Sequence, residues 1–221
     1  MSETLVDRTL RVAFSSFWLC GSGRGDGPGA DELPITTRDG LPFVPGKTLR
    51  GVLRDAFSRL AGPQCDSGIG AQELVKWFGS PPWGPGAPPD DAHRVERLEA
   101  DRYATTQGRF VVGSAVLGRT EDERDRWRRW AQRSKDAVAQ AFVELSTTRI
   151  NDDGVADDQT LRTVRAVIPM TLFADVRLPA EAAAPLREAV VVASAIGVGS
   201  GRHRGFGRVC IDIEPAEGAD A

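Results

Sequence analysis

Cysteine, histidine and lysine are all scarce in this 221-residue chain, and each scarcity removes a class of function. The three cysteines, Cys20, Cys65 and Cys210, are far apart and are joined only by His93 and His203, so no metal-ligand spacing exists and buried or incidental thiols are expected. No apolar run approaches membrane-span length, and the N-terminus "MSETLVDRTLRV" lacks the basic and apolar regions of a signal peptide, which leads to a cytoplasmic expectation. Only Lys47, Lys76 and Lys135 among the 28 basic residues are lysines. Arginine suits bidentate phosphate contacts and stacking on bases, but a GC-rich genome yields the same bias, so composition alone assigns no nucleic-acid role. Net charge is −3 and the isoelectric point about 5.5. That balance excludes a protein that coats nucleic acid over its whole surface and leaves a local basic patch as the alternative.

What is present fits one elaborated domain over 1–221, with 41% hydrophobic and 27% charged residues. Residues 8–19 alternate, with Leu10, Val12, Phe14 and Ser16 on one face, which predicts a strand. A long Gly-, Asp- and Pro-rich loop follows, longer than an ordinary connection and therefore a candidate functional segment. Leu49, Val52, Leu53, Phe57 and Leu60 recur at helical spacing between Pro45-Gly46 and Gly62-Pro63, predicting a helix over 47–61. Residues 62–108 read as a loop-rich insertion containing a short helical piece, "AQELVKWFGS", and the surface excursion "PPWGPGAPPDD", expected to be partly disordered. "GRFVVGSAVL" predicts a strand. Thr120 and Glu123 form a capping box that opens a charged helix within 118–142, with Trp127, Trp130, Ala131, Ala137, Val138 and Ala141 as its apolar face. Its arginines alternate with acids and read as a solvated face. Two strands around the acidic turn "NDDGVADDQ" predict a hairpin over about 145–168, then more strand, a helix after Pro179, and a last strand behind a glycine-rich loop. The order βαββαβ with insertions is an α+β, ferredoxin-like arrangement shared by RNA-recognition modules.

Two stretches carry chemistry. In "GLPFVPGKTLRG" Gly40 precedes Gly46-Lys47-Thr48 as in a phosphate-binding loop, but five residues intervene instead of four and two are prolines, which have no N–H to donate. In "GVGSGRHRGFGRV" the glycines Gly197, Gly199, Gly201, Gly205 and Gly207 surround Arg202, His203 and Arg204, so the backbone can approach a phosphate chain while cations neutralise it. The glycines follow a helix and open a strand, the reverse of a dinucleotide fingerprint.

With these residues in place the chain resembles the RAMP superfamily of CRISPR-associated proteins. "LPFVPGKTLRGVLRDAF" is similar to that family's Pro-Gly-Ser-Ser-Leu-Lys-Gly segment, "LVKWFGS" to its Leu-Phe-Gly segment, and "TTRINDDGVADDQTLRTVRAVIPMTLF" to the thumb-like hairpin region of type III backbone subunits. "GVGSGRHRGFGRV" is similar to its C-terminal glycine-rich loop. The resemblance implies an RNA-recognition-like fold that holds CRISPR guide RNA along a filament of its own copies and other effector subunits, in antiviral defence. It implies RNA contacts at Gly46, Lys47, Thr48, Arg50 and Arg54, and at Gly199, Gly201, Arg202, His203, Arg204, Gly205, Phe206 and Gly207. It further implies that Asp31 makes the chain an endoribonuclease acting on guide-paired target RNA with a divalent metal, in all expectation magnesium, while Asp26 and Asp39 compete for that role. Gly113-Ser114 stands where many relatives carry Asp-Ala, and Lys47 and Thr48 where they carry serines. The alternatives are a noncatalytic capping subunit of the same complex and a P-loop-like nucleotide-binding protein.

Overall fold

The computed structural model describes residues 4–26, 29–62, 65, 68–79, 107–148, 155 and 161–216. Strand β1 (Leu5–Phe14) carries the predicted alternation, with Leu10, Val12 and Phe14 buried. It pairs antiparallel with β5 (Thr171–Pro179) on one side and β6 (Val209–Pro215) on the other, while β2 (Val111–Val112) pairs with the far edge of β5. The resulting order β2-β5-β1-β6 is that of an antiparallel ferredoxin-like sheet, as the element order predicts.

Helices α1 (Gly46–Leu60) and α5 (Ala183–Ile196) cover one face of this sheet. Helix α1 buries Leu49, Leu53, Ala56, Phe57 and Leu60, a stripe at i, i+4, i+7, i+8 and i+11. Phe57 also anchors an aromatic cluster with Trp77 and Phe78 from α2 (Ala71–Phe78) and with Phe110, which holds the insertion against the core.

The predicted strand over 108–117 is regular only at β2, because after Val112 its pairing with β5 is broken by a bulge. Gly113 N–H donates to the Asp175 carbonyl of β5 at 2.7 Å, Ala115 turns to pair with Val44, and Val116 returns to β5 opposite Phe173, one residue out of the register of Val111 and Val112. The charged helix is two helices, α3 (Glu121–Arg133) and α4 (Lys135–Ala139), because Ser134 adopts φ −130° and ψ 52° between them. The N-cap forms as expected, with Thr120 Oγ1 accepting from Glu123 N–H at 3.2 Å, while the Glu123 carboxylate reaches back past Thr120 to accept from Arg119 N–H at 2.7 Å. These backbone hydrogen bonds hold the Glu123 carboxyl below the usual carboxylate range. The apolar face differs from expectation. Ala131 and Val138 pack into a small core with Leu41, whereas Trp127 and Trp130 stand 38% and 39% exposed.

The hairpin is a separate two-stranded sheet of β3 (Phe142–Thr147) and β4 (Arg162–Val167). Its predicted acidic turn lies outside the described residues apart from Val155, which is exposed, and the proline-rich excursion over 80–106 lies outside them entirely.

Candidate nucleic-acid interface

In an RNA-recognition-like sheet the face away from the helices is the obvious surface for RNA, and here it is closed by ion pairs. Strand alternation puts Asp7 and Arg11 of β1 on that face opposite Arg177 of β5 and Asp212 of β6. Arg177 bonds Asp7 at 2.8 Å and Arg11 bonds Asp212 at 3.0 Å. Arg119 and Arg124, from the segment entering α3, add contacts to Glu214 at 3.2 Å and Asp175 at 2.9 Å. Each cation on this face has an acid against it, and no row of exposed aromatics offers bases a stack.

The closing loop is different. Gly201 and Gly205, at φ 70° and 86°, bracket a single 3₁₀ turn of Arg202, His203 and Arg204. All three side chains are exposed, and neither they nor the Arg208 side chain form a hydrogen bond or ion pair among the described residues. The other glycines fix where this turn sits. Gly197 caps α5, and side chains at Gly199 and Gly207 would strike the carbonyls of Leu19 and Val198. Phe206 packs beside Gly201. The loop is docked on residues 15–20: Gly207 N–H donates to Phe17 O at 2.8 Å, Ser200 N–H to Leu19 O at 2.7 Å, and Arg208 N–H to Ser16 Oγ at 3.0 Å.

Residues 15–20 also hold the hairpin. Trp18 exchanges backbone hydrogen bonds with Val167 at 2.8 and 3.0 Å, donates its indole N–H to Ile168 O at 3.1 Å and stacks on Phe14 at 4.4 Å. One segment therefore sets the cationic turn and the hairpin base relative to each other. Neither Trp18 nor the two residues that complete the link, Glu32 and Ser200, stands out in the sequence. Ser200 Oγ donates to Glu32 Oε1 at 3.2 Å, and the Glu32 carbonyl accepts from Arg165 N–H of β4 at 3.0 Å. The adjacent acids Asp31-Glu32 in an extended stretch, whose side chains alternate in direction, were the available signal.

The three candidate carboxylates separate. Asp26 accepts from Ala30 N–H and closes its own loop. Asp39 accepts from Gln132 Nε2 of α3 at 3.0 Å. Asp31 is exposed and sits at the hairpin: its N–H donates to Thr163 O at 2.7 Å and its Oδ2 accepts from Thr163 N–H at 2.8 Å, leaving Oδ1 outward. Of the three, Asp31 alone is hydrogen-bonded to β4 among the described residues. Among the described residues no three His, Cys, Asp or Glu side chains converge to hold a metal. The described residues around Asp31 therefore do not by themselves fit a divalent ion.

At α1 the sequence expectation meets a constraint. Gly46 N–H donates to Ser114 Oγ at 3.2 Å, and Thr48 and Leu49 N–H groups both turn to Pro45 O, so Lys47 N–H is the one without a partner in that turn. Gly46 is required because a side chain there would meet the backbone of Val112 and Gly113. The Lys47 side chain is exposed and without a partner among the described residues. Arg50 donates to Phe110 O at 3.0 Å and Phe78 O at 2.7 Å, and Arg54 reaches Gly79 O at 3.5 Å. Both arginines tie the insertion to α1. Lys47 borders the β2 edge of the sheet and the closing loop leads into β6 at the opposite edge, so the structure does not bring these two groups together.

A cleft of about 470 Å³ is lined by the apolar Leu33, Val138 and Phe142 and by the charged Arg38, Asp39, Lys135 and Arg165. Arg165 lies over the Phe142 ring at 5.3 Å.

A family model for the RAMP superfamily matches residues 13–210. A comparison with curated protein sequences found no match. Among solved structures, a chain of the type III-B Cmr-β complex bound to cognate target RNA is similar with 13% identity and a TM-score of 0.55, over 96% of this chain and 61% of that one. A chain of the same complex type in its apo state is similar with 10% identity and a TM-score of 0.58, over 94% of this chain and 97% of that one.

Proposed function

The chain belongs to the RAMP superfamily, and we propose that within it the protein is a backbone subunit of a type III CRISPR effector complex that binds guide RNA. The observation that carries this reading is the Arg202-His203-Arg204 turn, exposed and unpaired on a glycine frame, in a chain whose sheet-face arginines are neutralised. A phosphate backbone is the ligand that unpaired arginines at close backbone approach recognise. Both similar solved chains come from type III-B complexes, one of them bound to target RNA. Phosphates pass over the closing loop, and the hairpin fixed to the same segment reaches across the strand through shape and through apolar side chains such as Val155. Its four turn aspartates repel phosphate.

Cleavage of target RNA paired to the guide is assigned to Asp31. Its free Oδ1 takes the ribose 2′-hydroxyl proton as the 2′-oxygen attacks the adjacent phosphorus; the bond from phosphorus to the 5′-oxygen breaks, the leaving oxygen takes a proton from water, and Thr163 N–H holds the carboxylate in place. The reading also places the chain among copies of itself and other subunits on one guide. A P-loop-like nucleotide site has little support, because the first turn of α1 offers one free amide where a phosphate cradle needs several.

Assembly with guide RNA followed by nuclease digestion tests this. Several copies protecting RNA in a ladder of regular length are expected; protection by a single copy would make the chain a capping subunit, and bound nucleotide without RNA would overturn the reading. Complementary RNA added with magnesium is expected to be cut at regular intervals by wild type and not by Asp31→Ala. Equal cutting by both would remove the role from Asp31.

A further inference from the structure

We propose that α3 carries a second, independent surface for single-stranded RNA, a stacking strip formed by Trp127 and Trp130 and flanked by Arg129 and Arg133. The tryptophans sit one turn apart, their rings 5.4 Å apart and at 88° to each other, and both are more than a third exposed. A helix whose largest apolar side chains face outward has not used them for its own packing; α3 is seated through Ala131 instead. Such a paired aromatic surface marks a contact site rather than a scattered exposed residue.

Charge decides what the occupant is. Two acids of α3 are neutralised on its other side, where Arg128 binds Glu121 at 2.9 Å and Asp125 at 2.6 Å; Arg124 binds Asp175 at 2.9 Å, and Glu123, one turn before Trp127, is held by the Arg119 N–H at 2.7 Å. Arg133, one turn after Trp130, and Arg129, one turn before Arg133, are exposed and form no ion pair or hydrogen bond among the described residues, and Arg126, one turn before Trp130, reaches Asp122 only at 3.8 Å. The strip thus offers two π faces and uncompensated positive charge. Its complement is a polyanion with flat faces, and single-stranded RNA supplies both. The strip is held in place before anything binds, because the Thr120 cap and the Arg124–Asp175 pair fix the first turn of α3 and the Gln132–Asp39 hydrogen bond fixes its end. Rigid aromatics lose little entropy on stacking.

The test uses the full-length protein and a mixed-sequence single-stranded RNA of about twelve nucleotides, within the site sizes such surfaces take. Affinity and tryptophan fluorescence are read together. Trp127→Ala with Trp130→Ala is expected to weaken binding by at least about fivefold and to remove most of the quenching, with the salt dependence unchanged, since stacking carries no counterion release. Trp127→Phe with Trp130→Phe keeps most of the affinity. Arg129→Gln with Arg133→Gln, both exposed and harmless to folding, lowers the salt slope by about 1.4, at roughly 0.7 per phosphate contact on a single strand. Wild-type affinity and slope in both the Ala and Gln pairs overturn the proposal, as does loss of a copurifying protein partner with RNA binding intact. Arg202→Ala with Arg204→Ala, measured in parallel, keeps this proposal separable from the guide-binding reading: loss in one pair without the other refutes one site and leaves the other standing.

Discussion

Replacing Gly207 by Ala, compared with the same change at Gly205, asks whether the closing loop is built by close backbone approach or merely by turn preference. Both residues hold positive φ, 65° at Gly207 and 86° at Gly205. A side chain at Gly205 meets nothing within 4 Å, so its cost is the left-handed conformation alone, about 1 kcal/mol. At Gly207 the new methyl group collides with the Val198 carbonyl, lying 3.0 Å from its carbon and closer still to its oxygen. The backbone must move. The hydrogen bonds from Val198 N–H to Gly207 O at 3.0 Å and from Gly207 N–H to Phe17 O at 2.8 Å then weaken or break. At about 1 kcal/mol each on top of the φ term, the total is about 3 kcal/mol. For a chain of this size that is a fall in melting temperature of roughly 6 to 12 °C, against roughly 2 to 4 °C for Gly205→Ala. Thermal unfolding followed by far-UV circular dichroism reads both. Equal shifts for the two variants would refute the account of the loop as a docked frame.

Arg50→Ala removes a guanidinium that holds two carbonyls of the insertion, so it is expected to destabilise the fold by about 2 to 4 kcal/mol in urea unfolding, whereas Lys47→Ala, on an exposed side chain, leaves unfolding unchanged. Burial pushes the Cys20 thiol up to about 12 from 9.0, so it stays protonated in the folded state while the unfolded thiol ionises. Its contribution is fully present below pH 9 and declines between pH 9 and 12, and Cys20→Ala is expected to flatten that decline in pH-dependent unfolding. Cys65 and Cys210 are exposed, so a thiol reagent titrates two groups in the native protein and a third only in denaturant. Thr120→Ala removes the N-cap of α3 and is expected to cost about 1 kcal/mol.

The core was legible because periodicity reports burial directly. Leu10, Val12 and Phe14 at period two and Leu49, Leu53 and Phe57 at helical spacing named the strand and helix that form the centre of the fold. Element ends were less so. The bulge that interrupts the strand after Val112 is set by the pairing of Ala115 with Val44, far away in the chain, and no local propensity encodes it. Trp127 and Trp130 read as core from their type, yet α3 is held by Ala131 and by ion pairs of Arg124, so the small residue and the charges set its orientation. At the site, the glycine spacing located the cationic turn, while the bonds that position it, from Phe17, Leu19 and Glu32, join residues well over a hundred positions apart. Arg50 illustrates the limit of motif reading. Its place in the signature suggested phosphate, and its two carbonyl partners come from segments that only the fold brings near.

The central claim, that the closing turn grips an RNA backbone, is tested most directly by the salt dependence of guide RNA affinity. Log Kobs against log salt is measured for wild type, for Arg202→Ala with Arg204→Ala, and for Arg11→Ala, whose partner Asp212 already neutralises it. The turn variant is expected to lower the magnitude of the slope by about 1.4, at roughly 0.7 per lost phosphate contact, and Arg11→Ala to leave it unchanged. A wild-type slope in the turn variant would contradict the claim.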